Sequence, residues 1–190
     1  MSDYLMGGPH GAAHSGCDRV ICALKYTDMV KSAMTKFKFS QRAEFGPTFG
    51  AILAEKIRRV EGPGIFSVAT AIPLGEGREK ERGFNQAGII AKYVAMHLNV
   101  RYCHDLLDKR EGAMRQSGLT GAQRDRNAKE SFALAGGVKE KGLVKGQAIL
   151  LIDDVSTTLS TINAGAALLK GGGAALVVGA VVASGMAGRD

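Results

Sequence analysis

Two unbroken apolar runs bracket one helix-periodic stretch late in the chain: "AILLI" at 148–152 and "AALVVGAVVA" at 174–183, with "STINAGAALLK" between them. A strand that is apolar at every position is buried on both faces. Two such strands joined by a helix belong to a parallel sheet covered on both sides. "IFSVATAI" at 65–72 reads the same way and leads into a helix over 84–98, whose Ala87, Ile90, Ala91, Val94 and Leu98 form one apolar stripe. The class is α/β, and ligands of open α/β sheets bind beyond the carboxyl ends of the strands.

The remaining segments fit that class. "RVICALKY" predicts a short strand, and Met29, Val30, Ala33, Met34 and Phe37 repeat at helical spacing after it. A second helix is expected over about 45–59, ending at the breaker "EGPG". A strand is expected near 101–107 and another at "SFALA". The intervening 108–131 is almost free of large apolar residues and reads as a long functional loop.

A chain of 190 residues is most simply one domain. We expect a flexible tail over 1–16 and a single domain over 17–190, divided into an N-terminal helical or hood segment (17–60) and a ligand-binding core (61–190). The start "MSDYLMGGPHGAAHSG" has no basic, apolar-cored leader, and the longest apolar run is ten residues, too short to span a bilayer. A cytoplasmic protein without a membrane span is expected. Cys17, Cys22 and Cys103 form no CxxC pair and read as reduced thiols. His10, His14, Cys17 and Cys22 lack the tight ligand pairs of a zinc site, so no protein-bound metal is expected.

The net charge is +7, and residues 25–42 carry five basic residues against one acid. That excess suits an anionic partner, nucleic acid or a phosphorylated ligand, although a solvated helix face accounts for it equally well.

The chemistry-bearing words are "DDVSTTLST", 153–161: two acids and five hydroxyls in nine residues, at the end of a buried strand and the start of a helix. The helix N-terminus offers unpaired N–H groups and the positive end of its dipole to an anion. Ser156, Thr157, Thr158, Ser160 and Thr161 add hydroxyl donors there. Asp153 and Asp154 repel a phosphate but can accept hydrogen bonds from sugar hydroxyls beside it. Together these describe a site for a ribose 5-phosphate. A helix cap and turn would need only one such residue. A P-loop is absent. In "GEGREK" the third glycine of a dinucleotide fingerprint is replaced by Lys80, and no helix is expected there. A phosphoreceiver domain would need an acceptor aspartate on a later strand, and the only acid after Asp154 is Asp190.

"ILLIDDVSTTLST" closely resembles the phosphoribosyl-pyrophosphate (PRPP) motif of type I phosphoribosyltransferases. "IPLGEGREKERGFNQA" (72–87), "FKF" (37–39) and "RQSGLTGAQRDRN" (115–127, with Arg115, Gln116, Leu119, Arg124 and Asn127) resemble segments of the competence-associated ComF family within that superfamily. The resemblance spans about 25–184. It implies an α/β type I phosphoribosyltransferase fold, a twisted parallel sheet flanked by helices with a small hood. It further implies a protein that binds PRPP with Mg²⁺ and transfers phosphoribose to or from a nitrogenous base.

Carried onto this chain, the resemblance makes Asp153 and Asp154 the ribose acids. Val155, Ser156, Thr157, Thr158, Leu159, Ser160 and Thr161 become the 5-phosphate loop, and Pro73 and Leu74 part of the pyrophosphate-side loop. Arg78 and Arg82 join the PRPP set, Lys80 stands beside them, and Arg82 within "RGFNQ" stands with the two acids as a catalytic candidate. Arg115, Gln116 and Arg124 would lie on the loop that closes over the site. Two departures stand out. Leu159 occupies a position usually held by glycine, and its bulk is expected to strain the loop and weaken phosphate binding. The cysteine-rich zinc module of many relatives has no counterpart here.

The alternative is a non-catalytic competence factor that binds single-stranded DNA during DNA uptake. Lys36, Lys38 and Arg42, interleaved with Tyr26, Phe37 and Phe39, would supply the charge and stacking such binding needs. Competence-machinery proteins would then be further partners, and a homodimer stays open in either reading. No residue identifies an acceptor base.

Overall fold

The structure is a computed structural model that describes residues 4–6, 16–39, 43–110 and 130–185. Its centre is a six-stranded sheet built from β1 (Tyr4–Met6), β2 (Arg19–Lys25), β3 (Val68–Ala71), β4 (Arg101–Tyr102), β7 (Ala148–Ser156) and β8 (Leu176–Ser184), in the order β1-β2-β8-β7-β3-β4. All neighbours are parallel except β1 and β2. A separate antiparallel pair joins β5 (Leu107–Lys109) to β6 (Phe132–Leu134).

Period-two alternation divides each central strand between two cores. On β7, Ile149 and Leu151 face one side, with Val177 and Val181 of β8, Phe132 of β6 and Ile162 and Leu169 of helix α5 (Ser160–Gly171). Leu150 and Ile152 face the other, with Val178, Ala180 and Val182. There they meet Met34 and Phe37 of α1 (Asp28–Phe39), Leu53 and Ile57 of α2 (Phe45–Glu61) and Ile90 and Val94 of α4 (Gln86–Leu98). The expected two-faced α/β sheet is present. α2 and α4 approach closely because Gly46 and Gly50, one turn apart, bring no side chain: a Cβ on Gly50 would lie 2.5 Å from that of Tyr93.

Several expectations change. Residues 76–82, read as a non-helical loop, form helix α3 (Glu76–Arg82). It has no buried residue, so no apolar stripe announces it. Its charges run with the helix dipole instead, Glu76 and Glu79 in the first turn and Lys80 and Arg82 in the last, and Gly83 ends it in the left-handed region (φ 80°). The loop expected over 108–131 begins later than that, because Asp108 and Lys109 belong to β5 and pair with Ala133 and Phe132. Tyr4–Met6, inside the expected tail, adds an antiparallel strand to the open edge of β2. The 17–60 segment is more than a hood: Val20 and Ile21 are fully buried, and β2 lies in the sheet beside β8. Cys17 is likewise buried in the core, and burial, aided by Asp18, pushes its thiol up to about 12. That is the state of a packing residue.

Among the described residues no helix is long and apolar enough to cross a membrane.

Candidate functional site

β7 is apolar up to Ile152 and then delivers Asp153 and Asp154 at the carboxyl edge of the sheet, beside the Ile72–Leu74 segment that leaves β3. A cavity of about 200 Å³ opens there. Its walls are Lys38, Ile72, Pro73, Leu74, Arg78, Arg82, Asn85, Gln86, Ala87, Lys109, Phe132, Asp153, Asp154, Val155 and Thr161. Two adjacent acids are thus surrounded by four bases from three elements.

Each acid is folded onto the next backbone amide. The Asp154 N–H donates to Asp153 Oδ1 at 2.8 Å, and the Val155 N–H donates to Asp154 Oδ1 at 2.6 Å. Asp154 has the parity of Leu150 and Ile152 and so faces the α1 side of the sheet. There the Lys38 ammonium lies 2.7 Å from its Oδ2. Burial first, and then the Asp154 charge, raise Asp153 from its ordinary 3.8 to about 7, against the opposing pull of the Asp154 amide, Lys38 and Lys109. Lys109 is itself lowered by burial and by Arg78, and its ammonium stands 5.0 Å from the Phe132 ring centroid.

Arg82 reaches the cavity from the last turn of α3. Its Nη1 donates to Gln86 Oε1 at 3.0 Å, and its guanidinium carbon lies 5.4 Å from the Phe39 ring centroid. Its Nε is buried without a hydrogen-bond partner, as is Gln86 Nε2. Asn85 ties the wall together. Its side-chain amide donates to the Ile72 carbonyl at 3.0 Å, while its Oδ1 caps α4 by accepting from the Gly88 N–H at 3.3 Å.

The following loop turns through Leu159 at φ 60°, ψ 0°. Only two described non-glycine residues, Asn99 and Leu159, have positive φ. Ser156 Oγ accepts from the Leu159 N–H at 3.0 Å, and the Leu159 carbonyl accepts from the Asn163 N–H at 2.9 Å to start α5. The backbone strain expected of a leucine here is present. Its bulk, however, leaves the loop: the side chain is 4% exposed and packs in the core with Ile162 and Leu151.

The structure therefore gathers Asp153, Asp154, Val155, Thr161, Pro73, Leu74, Arg78 and Arg82 around one cavity. Ser156, Thr157, Thr158, Leu159 and Ser160 form the adjoining turn and are not cavity walls; Thr157 and Thr158 are exposed, and the Thr158 and Ser160 hydroxyls are 2.9 Å apart. Lys80 is exposed and 3.8 Å from Glu76. Arg115, Gln116, Arg124 and Arg42 lie outside the described residues. Of the residues assigned to nucleic acid, Lys36 and Phe39 are exposed, Phe37 is core, and Lys38 belongs to the cavity instead. Residue-by-residue reading also passed over Lys109, Asn85 and Gln86; the words around Arg82 already contained the latter two.

No family model matches the chain. It is 28% identical over 162 residues to the DNA utilization protein YhgH of Escherichia coli O6:H1, covering 84% of this chain and 69% of that one. It is 31% identical over 156 residues to the competence protein ComFC of Bacillus subtilis, covering 80% of this chain and 58% of the relative. Among solved structures, a glutamine PRPP amidotransferase from B. subtilis superposes with a TM-score of 0.50 at 16% identity, over 77% of this chain and 30% of the amidotransferase. The chain thus spans less than a third of that enzyme, and the likeness concerns the fold. The chain is therefore a homologue of proteins named DNA utilization protein YhgH and competence protein ComFC, and its fold is that of the type I phosphoribosyltransferases.

Proposed function

We propose that the chain binds PRPP with Mg²⁺ in the cavity at the end of β7 and transfers phosphoribose to or from a nitrogenous base. The observation that carries this reading is the Asp153–Asp154 pair set among Lys38, Arg78, Arg82 and Lys109, directly before the N-terminus of α5. The acids accept from the ribose 2- and 3-hydroxyls. The turn into α5 takes the 5-phosphate, and Arg78, Arg82 and Lys109 face the departing pyrophosphate. Transfer breaks the bond from ribose C1 to the pyrophosphate oxygen and forms one from C1 to the base nitrogen. Catalysis then consists of positioning and of stabilising charge on the leaving group. Among the described residues no three His, Cys, Asp or Glu side chains gather to cage a metal. The site suits an ion that arrives on the pyrophosphate, keeping phosphate and water ligands. Such an ion would neutralise leaving-group charge.

The test is calorimetric titration of PRPP with Mg²⁺ into the wild type and into Asp153→Asn/Asp154→Asn. Binding that the double variant loses supports the site, and a screen of bases for pyrophosphate release then looks for the acceptor. A folded wild type that binds no PRPP overturns it.

A second reading, single-stranded DNA binding, is favoured by exposed Lys36 beside Phe39 (64% exposed) and Tyr26 (36% exposed) on and before α1. It predicts a salt-dependent oligonucleotide shift weakened by Lys36→Glu; no shift at low salt removes it.

A further inference from the structure

Lys38 lies far from the acid pair in sequence, in a segment whose charge alone suggested a solvated or DNA-facing helix. Its Nζ nevertheless stands 2.7 Å from Asp154 Oδ2, with the two side chains only 23% and 12% exposed. The Coulomb attraction within a pair shielded from water in this way exceeds that within an exposed pair. The helix that brings it is firmly placed: Met34 and Phe37 are buried, and the Phe37 ring lies 5.8 Å from Phe49 and 5.6 Å from Phe84. The next residue, Phe39, meets the guanidinium of Arg82. The last turn of α1 therefore touches both an acidic and a basic group of the cavity wall.

We propose that Lys38 is the positioning residue of the acid pair, fixing the Asp154 carboxylate and supplying the counter-charge that lets two adjacent acids face one ligand. This rests on the reading of the cavity as a ribose-phosphate site. Asp154 keeps acceptor capacity for a sugar hydroxyl, because each carboxylate oxygen carries two lone pairs and only one is used by Val155 or Lys38. The charged groups facing Asp153 are Asp154 from its own strand, Lys38 from α1, Lys109 from β5 and, beyond Lys109, Arg78 from α3. Among the described residues Lys38 is the base in direct contact with the pair. Without it the repulsion between the two carboxylates is less compensated, and the protonated form of Asp153 gains.

The test uses the ligand-free protein first. Carboxyl carbon NMR follows the Asp153 titration in wild type, Lys38→Met, Lys38→Arg and, as a control on the exposed side of the same helix, Lys36→Met. Lys38→Met is expected to move the Asp153 midpoint upward by about one pH unit, a tenfold change in proton affinity. Lys38→Arg should restore most of it, and Lys36→Met should leave it in place. PRPP titrations across pH should show the acid limb of binding moving with the carboxyl midpoint. An unmoved midpoint in folded Lys38→Met, or in folded Lys38→Gln if the methionine variant does not fold, overturns the proposal. A wild type that binds no PRPP at any pH removes the ligand reading instead. The carboxyl titration then still decides whether Lys38 governs the acid pair.

Discussion

The backbone amide of Leu159 donates to the hydroxyl of Ser156 at 3.0 Å, closing a turn in which leucine holds a left-handed conformation with its side chain in the core. Two effects oppose each other at this residue. The backbone costs a leucine about 1–2 kcal/mol relative to a right-handed conformation. The buried side chain returns more, since truncating a buried leucine costs about 2–5 kcal/mol.

Leu159→Gly is therefore expected to lower stability by about 1–3 kcal/mol in urea unfolding, despite relieving the turn. Because the side chain points away from the loop, affinity for PRPP should change less than about twofold, well under 1.4 kcal/mol. A tenfold gain in affinity would show that the leucine obstructs phosphate after all.

Asp153 gives a stability effect with a definite sign. Its carboxyl titrates near 7 in the folded chain against an ordinary 3.8, so the folded state holds the extra proton between those values. Stability contributed by this group falls as pH rises from about 4 to 7 and stays lowest above 7. Asp153→Asn should stabilise the protein by roughly 2–4 kcal/mol at pH 8 and by less at pH 5, while losing PRPP binding. Thermal unfolding at the two pH values measures this, and equal gains would contradict it.

Arg82 is held between Gln86 and the Phe39 ring, geometry that uses its planar fork. Arg82→Lys keeps the charge but loses the fork and the stacking. A drop of about tenfold in PRPP affinity is expected, with a change in stability below about 1 kcal/mol. Calorimetry beside urea unfolding separates the two quantities. Unchanged affinity would reduce Arg82 to a structural residue.

The α2–α4 contact is tested by Gly50→Ala. The new methyl would lie 2.5 Å from Tyr93 Cβ and 3.3 Å from the Ile90 carbonyl oxygen, neither of which is a free side-chain end. A loss of about 1–3 kcal/mol is expected from overpacking. Gly77→Ala in α3, where a Cβ meets nothing within 4 Å, should instead gain a few tenths to about 1 kcal/mol from helix propensity. Urea midpoints that move the same way in both variants would refute this.

Much of this architecture was legible where burial leaves a periodic trace. β7, β8, α4 and α5 follow from unbroken apolar runs and a 3.6-residue stripe, and the acid pair with its hydroxyls marks the carboxyl edge of the sheet. α3 was missed because a helix that buries nothing has no stripe; only its charge order and Gly83 betray it. The Lys38–Asp154 contact was missed for another reason. Local composition cannot tell a solvated lysine from one that the tertiary fold turns inward, and the signal here is only that Met34 and Phe37 anchor the same turn. β1 and β5 are three-residue strands, too short for alternation to register.

The register of the sheet has a consequence for how the chain is made. Arg19 stands opposite Val178 and Lys25 opposite Ser184, so β2 waits for nearly the whole polypeptide before its parallel neighbour exists. β8 also separates β2 from β7, leaving the early segment with no central sheet to join until then. Synthesis at about 5–20 residues per second leaves β2 without its parallel neighbour for roughly ten to thirty seconds. During that interval the apolar "VICAL" edge is open to other strands. The cavity at the end of β7, which needs α1 docked beside that strand, is among the last features to form, so a chain that stalls short of β8 emerges without it.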